Sequence, residues 1–275
     1  MDREKLLVLM AGALTGVFSG LTGVGGGVFL VSTLVSFLGF TQHRAHGTSL
    51  AVIIFLALFG AATYAFQGYY DLELTLILGV ASAVGVIAGA RLMAAVSQVQ
   101  LRRAFGLFLF LVFTTMLLKG IDLPGSAGIL PAGVGETPVP IGLPFWVILG
   151  LIAGVLGGFM GIGGAMIIVP AMVLVAGFEQ HMAQGISLAV ITLTSLMGAF
   201  THYKLGNVNV DVALRMAPAA IVTVILGSAA AGQLDGFWLT KIFGVAMLYF
   251  AFLFTFKGGR RPLPQSPRSA LRTSE

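Results

Sequence analysis

The residues with chemistry to offer come in two matching sets. Gly23-Val-Gly25-Gly26-Gly27 recurs as Gly161-Ile-Gly163-Gly164-Ala165. A helix that carries several glycines can unwind at them. Backbone N–H groups freed there, beside a half-helix N-terminus, make a small anion site. Close helix packing through small residues is the competing use of the same pattern. A nucleotide-binding glycine loop is disfavoured, because no strand precedes either run and no P-loop lysine follows. The candidate backbone contacts are therefore Gly23, Gly25, Gly26 and Gly27 in one set, and Gly161, Gly163 and Gly164 in the other.

A second motif recurs in the same register. Gln42-His43-Arg-Ala45-His-Gly47-Thr48-Ser49 aligns with Gln180-His181-Met-Ala183-Gln184-Gly185-Ile186-Ser187. Thr48, Ser49 and Ser187 offer hydroxyls near a helix start, where an oxyanion can be bound; ordinary N-capping is the alternative. His43 and His181 lie at the ends of apolar blocks, where imidazole titrates near neutral pH. They are candidates for a proton or anion relay, against an interfacial structural role. No metal site is expected, since the 4 histidines are scattered, cysteine is absent and no H-E-x-x-H occurs. Nothing suggests a resident cofactor. No nucleophile constellation is present either, so an enzyme is not expected.

The setting for these residues is a membrane. Of 275 residues 57% are hydrophobic and only 9% charged, too few charges for a soluble surface. The apolar blocks approach the roughly 20 residues that a bilayer-spanning helix needs. Arg3 and Lys5 precede an apolar run too long for a signal peptide, which marks a retained membrane segment. Unwound backbone at membrane depth is tolerated only where protein buries it or where it lines a cavity. Ionisable residues are nearly missing from the block centres. Arg91, His202 and Lys204 sit near the ends, where long side chains snorkel. With no membrane carboxylate on offer, a small anion suits the available groups better than a cation.

The fold expected is an all-α polytopic membrane protein built from two homologous units. An offset of 138 positions aligns the chain with itself, with about 30 identities in about 110 positions. The units are 1–120 and 143–257, joined by a Gly- and Pro-rich external linker, 121–142, and followed by a basic cytoplasmic tail, 258–275. Each unit holds one long glycine-broken segment and three ordinary spans, at about 45–66, 72–94 and 100–119, then 183–204, 210–232 and 238–257. Placing the positive charges inside puts both termini in the cytoplasm. The long segments 6–40 and 143–178 then each start and end on one side. Each is a re-entrant hairpin or two short crossings, and the units are inverted repeats; a single tilted span per segment would make them parallel.

Across these motifs the sequence resembles the TauE/SafE family of membrane permeases. The carrying residues are Gly20–Gly27 with Ala45–Ser49, and Gly158–Gly164 with Pro170 and Ala183–Ser187. The resemblance implies a cytoplasmic-membrane permease of two duplicated units that moves sulfite, a sulfonate or a related small anion, with proton coupling a family-level supposition. The partners expected are that anion and the lipid bilayer, and no nucleic acid. A homo-oligomer is compatible with the pattern but not required by it. A channel, or a carrier of a metal or other cation, is the alternative function. The copies differ at Ser32/Pro170, Gly27/Ala165, Thr48/Ile186 and Arg91/Ala229, so two equivalent sites are not expected.

Overall fold

The computed structural model describes residues 3–92, 98–118, 142–161 and 163–256. The basic tail and nearly all of the expected linker lie outside the described residues, as does Ile162. Among the described residues there are ten α-helices and no strand. The first unit holds α1 (Arg3–Thr22), α2 (Gly27–Leu38), α3 (Gln42–Phe66), α4 (Leu72–Leu92) and α5 (Gln98–Leu118). The second holds α6 (Leu143–Met160), α7 (Ala165–Pro170), α8 (Gln180–Lys204), α9 (Val210–Ala231) and α10 (Gly236–Phe256). The duplication offset carries α3 onto α8 and α5 onto α10 end to end.

Local chemistry explains the boundaries. Thr41 caps α3 by accepting from the Arg44 N–H at 3.4 Å, and Asn209 caps α9 by accepting from the Val212 N–H at 3.2 Å. Gly39 takes the left-handed conformation that closes α2. Pro144 sits in the first turn of α6, where its missing N–H costs nothing. Pro170 has the opposite effect. It ends α7 and hands over to a π-helical turn, Ala171–Val175. Ser32, at the equivalent place, keeps its N–H, and α2 runs on unbroken to Leu38.

Six of the helices are long and apolar enough to cross a membrane: α3, α4, α6, α8, α9 and α10. Large apolar side chains such as Leu14, Phe37, Leu107, Leu226 and Phe252 are exposed around the bundle. That is the surface lipid requires.

The packing map is unchanged when the two units are exchanged. The first helix of each unit packs on the fourth of the other (α1 on α9, α6 on α4), while α3 faces α8 and α5 faces α10. Direction follows from the contacts. Gly60 meets Leu188 and Gly198 meets Leu50, so the equivalent helices α3 and α8 run antiparallel. The same holds for α5 and α10, where Gly106 meets Ala251 and Gly244 meets Met116. By contrast α1 runs parallel to α9, with Gly12 at Met216, Gly16 at Ala220 and Gly20 at Val224. A two-fold that reverses helix direction relates the units. Glycine makes the close approaches feasible: a β-carbon on Gly154 would stand 2.1 Å from the Ser82 carbonyl oxygen, and one on Gly89 2.0 Å from that of Val155.

Candidate functional site

Each long segment is a helical hairpin. α1 rises about 30 Å in its 20 residues and α2 returns about 18 Å in its 12. The reversal uses backbone that only glycine adopts cheaply. Gly23, Gly25 and Gly26 have φ of 68°, 74° and 69°, and Gly161, Gly163 and Gly164 have φ of 69°, 81° and 90°. The contacts trace the return path. Gly23 packs on Gln184, one turn into α8. Gly25 packs lower, on Ile53 and Ile191, and Gly26 folds back onto Thr15 of α1. α2 and α7 therefore start deep in the bundle. Their first N–H groups have no acceptor within their own helix.

The two breaks converge. A β-carbon on Gly25 would lie 3.3 Å from Ile53 Cγ2 and 3.4 Å from Ile191 Cγ2; one on Gly163 would lie 2.9 Å from Ile191 Cγ2. Ile53 and Ile191 are equivalent residues near the midpoints of α3 and α8. Gly23 to Val28, Gly161, Gly163 and Gly164 are all buried, so the centre is occluded.

Hydroxyls tie each break to the other unit. Ser49 Oγ, on α3, shares its proton between the Gly161 carbonyl at 3.0 Å and the His46 carbonyl at 2.8 Å. Ser187 Oγ, its equivalent on α8, donates to the Gly23 carbonyl at 3.4 Å. Thr48 Oγ1 is directed elsewhere and accepts from the Asn209 N–H at 3.0 Å. Ser49 and Ser187 thus join the glycine breaks, whereas Thr48 holds the start of α9.

Neither relay candidate sits at the breaks. His43 is exposed at the start of α3. His181 is buried and stacks on Tyr69 with ring centroids 4.7 Å apart. Its Nε2 faces the carbonyls of Ala231 at 3.2 Å and Leu234 at 3.1 Å, two acceptors that place the proton on that nitrogen. It lines a cavity of about 460 Å³ with Tyr69, Gln180, Asp235 and Thr240, at the face where α8 begins. No three potential metal ligands gather among the described residues.

The spacing of the motifs does not reveal a second pair of polar positions beside the breaks. Tyr64 Oη lies 3.0 Å from the Gly20 carbonyl and 2.5 Å from Gln184 Oε1, all buried. At the other face the equivalents of Tyr64 and Gln184 are His202 and His46. His46 packs on Gly161 as Gln184 packs on Gly23. The alignment of His46 with Gln184 was visible in the second motif. Tyr64 and His202 share no identity, which hid their equivalence.

Comparison with known proteins gives consistent results. The family model described as sulfite exporter TauE/SafE matches residues 2–116 and 146–274. The chain is 30% identical over 238 residues to "Probable membrane transporter protein YunE" of Bacillus subtilis, covering 82% of this chain and 87% of that one. It is 28% identical over 204 residues to "Probable membrane transporter protein YdhB" of the same organism, covering 74% and 81%. A protein of Methanocaldococcus jannaschii, also named a probable membrane transporter, is 28% identical over 237 residues, covering 80% and 84%. No solved structure matches the chain.

Proposed function

The chain belongs to the sulfite exporter TauE/SafE family of membrane transporters, and from that premise we propose that it is a secondary transporter of a small sulfur-containing anion, sulfite or a sulfonate. It works by alternating access in the cytoplasmic membrane, with both termini inside. The observation that carries this reading is the convergence of two glycine breaks, one from each unit, on Ile53 and Ile191. Broken helices that meet between reversed repeats suit a substrate held midway and released to either face. The N–H groups of Gly25, Gly26, Gly27, Gly163 and Gly164 would hold the anion, which helix N-termini favour. When either face opens, Ser49 or Ser187 releases the glycine carbonyl it now holds and turns its hydroxyl to the substrate. Thr48 would join them by leaving Asn209. No Asp or Glu is buried among the described residues, which supports an anion over a cation.

In proteoliposomes, labelled sulfite or a labelled sulfonate is expected to move faster than in empty vesicles, with counterflow that marks a carrier. A complete panel with no flux above empty vesicles would sink the substrate assignment. Orientation has its own test, since the chain has no cysteine. Tyr70→Cys and Leu205→Cys place single thiols at exposed positions in the α3–α4 and α8–α9 turns, at opposite faces. An impermeant maleimide applied to whole cells is expected to label the first and spare the second. The reverse pattern would invert the assignment of inside and outside.

A further inference from the structure

The two faces of the bundle differ in one respect that the repeat symmetry makes plain. At the face where α8 begins, Tyr64 and Gln184 close over Gly20 and Gly23 through neutral hydrogen bonds. At the face where α3 begins, the same two positions are histidines. His202 is 1% exposed, and the backbone of Gly158, the equivalent of Gly20, faces its ring. Neither of its ring nitrogens completes a hydrogen bond. His46 lies against Gly161: a β-carbon there would stand 2.4 Å from His46 Nδ1. Gly47, the next residue, packs on the His202 side chain. Two imidazoles thus flank the glycine break of the second unit, and a Tyr–Gln pair flanks that of the first.

We propose that His46 and His202 form a proton-binding site coupled to the anion site, with Tyr64 and Gln184 as its proton-silent counterpart at the opposite face. This rests on the transport reading above. One proton from the solvent at that face adds to a ring nitrogen of the neutral pair and gives an imidazolium; no covalent bond breaks. A buried cation needs a partner. The surrounding elements offer none. On α3 the neighbours are His43, whose charge reaches His202, and Arg44. On α8 they are Tyr203 and Lys204, whose ammonium lies over the Phe200 ring. α9 brings Asp211 and Arg215, which pair with each other at 2.9 Å and are exposed. α4 brings the exposed Arg91, and α6 carries no charge. The counter-charge left to the imidazolium is an anion at Gly161–Gly164. Proton and anion then bind cooperatively, each raising the affinity for the other by the same factor, about tenfold for a coupling of this type.

The test uses methanesulfonate, which stays singly ionised from pH 5 to pH 8, so that any pH dependence belongs to the protein. With the whole protein in proteoliposomes, methanesulfonate or sulfite flux is expected to change about tenfold between pH 8 and pH 6 at the face of α3's N-terminus. The double variant H46Q/H202Y copies the Tyr64–Gln184 pair onto that face, in surroundings that the two-fold already fits to it. Its flux at the two pH values is expected to agree within about twofold. Independently of flux, ring-15N histidine spectra in nanodiscs should show His46 and His202 titrating, with midpoints that rise when methanesulfonate is added. Histidines that stay neutral down to pH 5, or a double variant with the parent's pH profile, would overturn the proposal. Histidines that titrate in a protein moving neither probe would overturn the transport reading and leave the proton site standing.

Discussion

Gly25→Leu is expected to abolish anion flux while the protein remains folded in the membrane. The left-handed backbone at Gly25 costs a leucine about 1–2 kcal/mol. Its side chain must also enter the space between Ile53 and Ile191, where a β-carbon alone already touches both. Overpacking of that kind costs about 1–3 kcal/mol, which weakens the fold without removing it. The same side chain fills the space between the breaks and covers the N–H groups at the start of α2. Gly25→Ala makes the graded comparison. It carries the backbone cost, meets only side-chain methyls at 3.3 Å and beyond, and should keep a reduced flux. Both variants are measured as labelled sulfite flux per folded protein, with size-exclusion profiles as the control. Full activity in Gly25→Leu would move the site elsewhere.

Gly154→Leu is expected to leave no folded protein. Here the obstacle is backbone rather than a movable side chain. The added β-carbon would sit 2.1 Å from the Ser82 carbonyl oxygen, and α4 and α6 must part along their length to admit it. Packing at this distance holds helices together in a bilayer, where apolar surface alone gives them no reason to associate. Gly39→Ala is the contrasting substitution. Nothing lies within 4 Å of its β-carbon, so only the left-handed backbone is penalised, at about 1 kcal/mol. Yield of monodisperse protein in detergent separates the two. Comparable yields would mean that α4 and α6 do not pack as closely as described.

Much of the architecture was written in residue types that act locally. The glycines at 23, 25 and 26, and at 161, 163 and 164, take positive φ because no other residue does so cheaply, so the breaks were visible as composition. The ordinary spans were legible from their apolar length, and α3 and α8 begin three residues before the expected 45 and 183 because Gln42 and Gln180 sit in the interfacial first turn. The site was less legible. Ser49 and Ser187 were visible as hydroxyls, but their partners, Gly161 and Gly23, lie in the other unit, and no local pattern encodes that pairing. Thr48 stands beside Ser49 in sequence yet turns to Asn209, because neighbouring residues on a helix point to different faces. Tyr64 and His202 escaped notice for another reason. A search for identities in a duplicated chain passes over positions where the copies have diverged, and those are the positions where the two faces differ.

The crosswise packing of the first helices also bears on how the chain is made. α1 is synthesised first, but the surface it fits is on α9, which emerges after most of the chain has been threaded into the bilayer. α6 fits α4, which has by then been waiting with its small-residue face uncovered. Neither half contains the partner of its own opening helix. Contacts so distant along the chain form late and slowly. Although the two halves are copies, each is an incomplete template until the other arrives, and the duplication has produced a single folding unit rather than two.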